Sequence, residues 1–429
     1  MKFPLPADTF PKLELSPHEK HTIEAAAEEI VKTTIKQYYE LLTVHNGVVD
    51  ETRWKKLKQR EDVRVYMERK SSLHSRAASV TSDESGSSFS SSSTIPSSSS
   101  PGIKTTASML TFGSVSGHLD DVMYGVLSPS TEEMQLKTAY VEDGLDDWGL
   151  LASIIKPSKA NPFRALSIKW SIKDYPLLLS AIVRTRDSVY IESSGIAMTP
   201  SGERIGYRMD HSVDLPGVRE LTDLKIVRSK FSACEFFRQR TPTCVEVYSL
   251  IQFNPMGDVS ATAGSQALVQ IPIRVFKHLH YAEMKKLTRL LRSSQNPSRS
   301  VTSTEASGSS SGSSSWNSVL SSASSSTSVP PGTCELCSQR TSGGGGFAPL
   351  SSSKEKQCQI CLARTCGRCC AEKTIYSPTE VKKQLASKNM AFCKRCILSA
   401  SNASSIKFAV LDTLESEGIL VDYREALIG

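Results

Sequence analysis

Four Cys-x2-Cys pairs crowd the last third of the chain: Cys334/Cys337, Cys358/Cys361, Cys366/Cys369 and Cys393/Cys396. They take eight of the eleven cysteines. A Cys-x2-Cys turn presents two thiolates to one metal at the tetrahedral angle, and four thiolates close a structural zinc site. Four such turns therefore predict two Zn²⁺ ions. One pair alone would be compatible with redox chemistry; four within about sixty residues are not a thioredoxin pattern. The competing reading is a set of disulfides in a secreted domain. The N-terminal Met1-Lys2-Phe3-Pro4-Leu5-Pro6 lacks the apolar core of a signal peptide, which points away from it.

Spacing sets the expected pairing. Only Leu362-Ala363-Arg364-Thr365 separates the second turn from the third. So short a link disfavours both turns holding one ion and favours a cross-brace. Cys334, Cys337, Cys366 and Cys369 would then hold one zinc, and Cys358, Cys361, Cys393 and Cys396 the other. RING fingers share this topology but usually carry a His ligand, and residues 331–400 contain none. Cys370 stands beside the comb, as a spectator or a substitute ligand.

The run Cys358-x2-Cys361-x4-Cys366-x2-Cys369 resembles the central part of FYVE-type and FYVE-related fingers. The resemblance implies zinc ligation by the eight cysteines. It does not carry over the family's reading of phosphatidylinositol 3-phosphate. Before the first turn stands Ser-Val-Pro-Pro-Gly-Thr instead of W-x-x-D, and Lys354-Glu355-Lys356-Gln357-Cys358-Gln359 replaces the basic, His-containing signature. Met390-Ala391-Phe392-Cys393 replaces R-V-C. The loop Ser338–Gln357, which contains Gly343–Gly346, is also longer than usual for that family. Lys354, Lys356, Arg364 and Arg368 leave room for weak, salt-screened contact with anionic membrane, or form an ordinary solvated surface.

At 429 residues the chain has length for two or three domains. A formal charge of +7 permits attraction to anionic surfaces and requires no nucleic-acid partner. No run of about eighteen apolar residues occurs, so no spanning helix is expected. Pro176-Leu177-Leu178-Leu179-Ser180-Ala181-Ile182-Val183 suits a buried element. Reduced metal-binding cysteines predict a cytoplasmic protein, either in the cytosol or peripheral on endosomal or other intracellular membranes.

Two serine-rich tracts, 71–104 and 293–330, lack the apolar surface to offset backbone ordering. The first reads as an insertion, the second as a linker. The expected organisation is an N-terminal domain over 1–292, the linker over 293–330, the finger over 331–400 and a tail over 401–429.

Within the N-terminal domain, Ser16-Pro17-His18-Glu19 is a capping box with Pro at the first helical position, followed by Ile23, Ala27, Ile30, Thr34, Tyr38 and Leu41 at helical spacing. Val63, Val65 and Met67 alternate like a strand, and Met109–Val115 is another candidate. Residues 118–140 read as a helix broken at Ser128-Pro129, its second half capped by Ser130 and Glu133. From 149 to 254 strands dominate. Leu166/Ile168/Trp170/Ile172 alternate, as do Val189/Ile191, ended by Gly195, and Ile205/Tyr207/Met209. Ile226–Gln239 and Cys244–Phe253 form an expected antiparallel pair. Cys234 and Cys244 read as buried residues, with a disulfide as the minor alternative. A last helix over about 267–292 carries Phe276, Leu279, Leu287 and Leu290 on one stripe, interrupted by Glu283. Its other side, Arg274, Lys277, Lys285, Arg289 and Arg292, is either a solvated basic face or a lipid-facing one.

This element order resembles the START-like helix-grip fold, an α+β architecture in which a curved antiparallel sheet wraps a long C-terminal helix around an apolar cavity. START-like domains followed by FYVE-related fingers are a known pairing. The resemblance implies a lipid or sterol in the cavity and a non-enzymatic lipid-binding or membrane-adaptor protein. A RING-like ubiquitin ligase and a protein-interaction scaffold are the alternatives. Catalysis finds no support: His211, His278 and His280 lack recognisable partners, and Gly343–Gly346 lacks the Lys-Ser/Thr of a phosphate loop.

Overall fold

The computed structural model describes residues 3–6, 9–10, 13–69, 107–173, 184–199, 201–254, 256–257, 274–295, 330, 332–340, 355–381 and 383–427. The tract 71–104, the run Pro176–Val183, the interior of 293–330, Gly343–Gly346 and Lys354 lie outside them. The chain divides into two compact units, Met1–Ala282 and Glu283–Gly429.

The first unit is α+β, built on a large antiparallel sheet. It opens with helix α1, Pro17–Thr43, where the capping box forms as its sequence requires: Glu19 N–H donates to Ser16 Oγ at 3.2 Å and Ser16 N–H donates to Glu19 Oε2 at 2.8 Å. Strands β1 (Trp54–Arg60), β2 (Val63–Glu68) and β3 (Ala107–Ser116) follow, then helices α2 (Leu119–Val126) and α3 (Thr131–Val141). The helix pair breaks at Ser128-Pro129, and Ser130 Oγ accepts from Glu133 N–H at 3.1 Å. Strands β4 (Asp147–Ile155), β5 (Ala165–Lys173), β6 (Arg186–Met198), β7 (Arg204–Ser212), β8 (Val227–Arg228), β9 (Lys230–Thr241) and β10 (Cys244–Asn254) complete the sheet. Its order is β1-β2-β3-β10-β9-β7-β6-β5-β4, antiparallel throughout, with β8 pairing parallel to β6 off that path.

Three boundaries differ from the expectation. β6 does not end at Gly195 but continues to Met198, because a glycine there admits the cross-strand Tyr207: a Cβ at 195 would stand 2.8 Å from its hydroxyl. The segment from Ile226 divides. Arg228 leaves the hairpin to pair with Asp187 at 2.8 Å, fixing β8 beside β6, and β9 begins only at Lys230. β1 was not foreseen. Its Lys55, Lys56, Lys58 and Arg60 mark an edge strand kept from further pairing by charge.

Period two divides the sheet into two buried faces. The apolar alternants Leu166, Ile168, Trp170, Ile172, Val189, Ile191, Ile205 and Met209 all pack with α1 in one core. Tyr38 of α1 seals that core, its ring 5.1 Å from Tyr248 and 5.9 Å from Phe236 and its hydroxyl donating to Glu246 Oε1 at 2.5 Å. The opposite face receives α2, α3 and the start of the last helix, α4 (Arg274–Gln295). There Phe276 packs against Val65, Met109, Ile251 and Phe253.

The second unit contains the rest of α4, the short strands β11 (Lys356–Gln357) and β12 (Arg364–Thr365), the hairpin β13 (Cys370–Pro378) and β14 (Leu385–Cys393), and helices α5 (Lys394–Asn402) and α6 (Ser405–Ser416). Where a tail was expected over 401–429, α6 buries Phe408, Ala409 and Leu411 and is capped by Ser404. The basic side of α4 in this unit is not solvated. Arg289 Nε donates to Asp412 of α6 at 2.8 Å, Lys286 Nζ donates to Ala403 O at 2.7 Å, and Lys285 is buried. Glu283, the break in the apolar stripe, pairs with Lys373 at 3.1 Å.

Candidate metal centre and candidate ligand cavity

The structure brings the eight paired cysteines into two groups. Cys334, Cys337, Cys366 and Cys369 form one; Cys358, Cys361, Cys393 and Cys396 form the other. Within each, the sulfurs lie within 4.8 Å of one another. Local turns place them. Ser338 N–H bonds to Cys334 O at 2.8 Å and Leu362 N–H to Cys358 O at 2.9 Å, and both residues that follow their turns take left-handed backbone, φ 57° and 60°. Cys393 caps α5, and its sulfur accepts from Cys396 N–H at 3.4 Å.

Two geometries compete for such sulfurs, and distance separates them. A disulfide requires about 2.0 Å, and all eleven cysteines, Cys234 and Cys244 included, are free. A tetrahedral ion with metal–sulfur bonds of about 2.3 Å sets its sulfurs about 3.8 Å apart. Cys337 Sγ stands 3.8 Å from Cys366 Sγ, and Cys361 Sγ stands 3.7 Å from Cys393 Sγ. The donor set thus fits one ion in each group. Hydrogen bonds from its neighbours hold Cys358 far below the usual thiol range, while Cys393 and Cys396 are forced up. Cys370 belongs to neither group; it is buried opposite Cys393 in the hairpin.

The basic residues near these groups are largely committed. Lys356 pairs with Glu372 at 2.8 Å, and Arg364 with Glu335 at 3.1 Å and Glu355 at 3.8 Å. Arg368 is exposed.

A second candidate site lies in the first unit, on the sheet face away from α1. A cavity of about 160 Å³ opens there between β5, β6, β7, β9, β10, α3 and the start of α4. Met134, Val141, Phe231, Ile251 and Phe253 give it an apolar wall. Its remaining lining was not anticipated, because an apolar cavity was expected. Among the described residues, six cationic side chains (Lys137, Lys169, Lys173, Arg186, Arg208 and Arg274) face four carboxylates (Asp143, Glu192, Asp210 and Glu235), a formal excess of two positive charges.

These charges form a network across the strand register. Lys169 of β5 is paired with Glu192 of β6. Arg208 of β7 reaches Glu192 at 3.1 Å, Asp210 at 2.6 Å and Glu235 at 3.5 Å. Lys137 of α3 donates to Val126 O at 2.6 Å and Ser128 Oγ at 3.2 Å. Burial opposes the Glu192 carboxylate, but Lys169, Lys137 and Arg208 outweigh it and hold its pKa well below the usual range. Burial lifts Asp210 to about 6 despite Arg208, and burial with Arg208 lowers Lys137 to about 7.

Among the described residues, four buried atoms around the cavity have no hydrogen-bond partner: Nδ1 and Nε2 of His278, Nε of Arg208 and Oδ1 of Asp210. His278 is 1% exposed. Gly125 of α2 sets its place, since a Cβ there would fall 1.9 Å from the His278 carbonyl oxygen. His211 and His280 behave differently: His211 Nδ1 bonds Ser232 Oγ at 3.0 Å, and His280 stacks edge-on to Tyr140. A signal for the network was present in the sequence. Lys169, Glu192, Arg208, Asp210 and Glu235 are charged alternants of β5, β6, β7 and β9, and the register sets Arg208 opposite Glu235.

No protein-family profile matches the sequence, and no curated protein is similar to it. Among solved structures, human StAR-related lipid transfer protein 5 is similar at 13% identity over 60% of this chain and 97% of that one, with a TM-score of 0.38. Human STARD10 is similar at 12% over 57% and 78%, TM-score 0.35. The lipid transfer and protein localization domain of human StarD13 is similar at 8% over 59% and 95%, TM-score 0.34. At these scores the likeness is partial. The α+β class rests on the strand order and on α4 itself. Among the described residues, no helix is long and apolar enough to cross a membrane.

Proposed function

We propose that this chain is a non-enzymatic lipid-binding adaptor whose second unit is a cross-brace finger holding two structural zinc ions. The cavity between the sheet and the start of α4 carries the ligand-binding part of this reading. It joins an apolar wall to a charged floor, the two chemistries an amphipathic ligand presents. Its volume suits the polar end of a lipid rather than a whole one, so the reading requires the cavity to widen as chains enter. The zinc part is supported by the sulfur spacing and by an all-thiolate donor set, which suits Zn²⁺. The ions would act as cross-links between the knuckles and the hairpin. The pairing of Lys356 and Arg364 with carboxylates, and the lost signatures around Cys358, favour an adaptor finger without preference for the 3-phosphate.

The test is mass spectrometry of lipids carried by the purified full chain, before and after incubation with mixed-lipid vesicles. Stoichiometric lipid supports the reading. A chain that carries and takes up none is a scaffold instead.

A further inference from the structure

We propose that the cavity of the first unit is a site for a compact phosphate group, either a lipid's phosphate headgroup or a free phosphate monoester. This rests on reading that cavity as the ligand site, and it goes further by naming the ligand's charged chemistry.

Two independent observations point to an anion. The first is hydrogen bonding. His278, 1% exposed, leaves both ring nitrogens without a partner at the cavity, and Arg208 Nε is also unmet. Buried polar atoms are rarely left so. An oxygen-rich ligand accepts from Arg208 Nε and from the single N–H of the neutral His278 ring. The second is charge. Water would satisfy the hydrogen bonds but not the formal excess of two positive charges on the lining. In a buried site an excess of one charge sign is costly, and an anion offsets it. A sterol hydroxyl or a neutral glyceride does not.

The titration behaviour agrees. Burial, joined by the fields of Lys137, Arg208 and Arg274, holds His278 well below its ordinary pKa. Burial and Arg274 lower Lys173 in the same way. A strip of the lining repels protons, and a bound anion relieves that repulsion.

The cavity of about 160 Å³ is smaller than the roughly 300 Å³ at the low end of drug-sized pockets. That size selects a headgroup or a small ester.

The experiment uses the full, zinc-loaded chain. Inorganic phosphate and glycerol 3-phosphate are titrated calorimetrically at constant ionic strength. Neutral vesicles with and without phosphatidic acid are offered in parallel. Saturable binding is expected, weakened about tenfold or more by His278→Leu, a change that removes both nitrogens and keeps the bulk. Binding of the soluble esters identifies a free phosphate ligand; extraction of phosphatidic acid alone identifies a headgroup, and either supports the proposal. Failure of the folded wild-type chain to bind any phosphate species overturns it. So does equal affinity in a folded His278→Leu chain. If that variant does not fold, the ¹⁵N shifts of His278 in the wild type decide: they move on saturation, or the assignment of His278 fails. Uptake of neutral lipid with no phosphate dependence would defeat this inference and leave the lipid-binding reading standing. Soluble phosphate bound with no lipid taken from any vesicle would do the reverse.

Discussion

Lys169 and Glu192 form an ion pair diagonally across β5 and β6, on the sheet face opposite the apolar core, with the Lys169 side chain 1% exposed and that of Glu192 10% exposed. Lys137 and Arg208 lean on the same carboxylate. Glu192 is therefore the anion that makes a cluster of buried cations tolerable. Glu192→Gln should destabilise the first unit by about 3–5 kcal/mol, the usual cost of stranding a buried charge. Chemical denaturation followed by circular dichroism checks it. A loss near zero would mean that solvent screens the cluster.

Gly125 and His278 meet where α2 crosses α4, with no room for a side chain. Gly125→Ala gains some helix propensity but must push the helices apart. A net loss of about 1–3 kcal/mol is expected. A neutral or stabilising effect in a thermal melt would show that the crossing is looser than described.

Acid should weaken the first unit through His278. Its folded pKa lies well below 6.5, so the folded ring stays neutral while the unfolded ring takes a proton below about pH 6.5. The unfolded state then binds more protons, and stability falls with pH by up to about 1.4 kcal/mol per unit. Asp210 acts oppositely. Raised to about 6, it binds its proton earlier when folded and favours the fold as pH drops from 6 towards 3.8. Comparison of wild type with His278→Leu isolates the histidine: the variant should lose less stability between pH 7 and pH 5. Parallel curves would contradict the assignment.

Much of the first unit was legible because period-two apolar residues report a buried face. Leu166, Ile168, Trp170 and Ile172 did so, as did Ile205 and Met209. That signal belonged to the α1 side. The other side of the same strands carries Lys169, Glu192, Arg208 and Asp210, which in a sequence read as solvent-facing. They are buried because α2, α3 and α4 cover them, and their charges cancel across the register rather than in water. The capping box at Ser16 and the break at Ser128-Pro129 were local, hence readable. Helix α6 lies where a tail is expected over 401–429, yet Ser404, Phe408 and Leu411 carry its cap and its apolar stripe.

In the second unit, Asp412 is the acid that keeps Arg289 buried, with Tyr423 donating to the same carboxylate oxygen at 2.6 Å. Asp412→Ala should destabilise that unit by about 2–4 kcal/mol, less than full burial would exact because Glu415 stands 3.9 Å from Arg289. Proteolysis within α6 is the sensitive readout. Unchanged cleavage rates would show that the helix is held by its apolar face alone.

Each four-cysteine group needs its ion to tie the knuckles to the hairpin. Structural zinc supplies on the order of 10 kcal/mol in small modules. Cys366→Ser or Cys396→Ser should therefore unfold most of residues 331–400 and leave the sheet signal of the first unit in place. Intact cross-brace structure in either variant, or after chelation, would mean that the metal is not structural.

Native mass spectrometry of the full chain, purified without chelator and offered lipid vesicles, tests the central claim most directly. The account predicts one dominant species carrying two zinc ions and one lipid. A chain that remains folded with fewer than two zinc ions, or that carries no lipid at any vesicle composition, would contradict it.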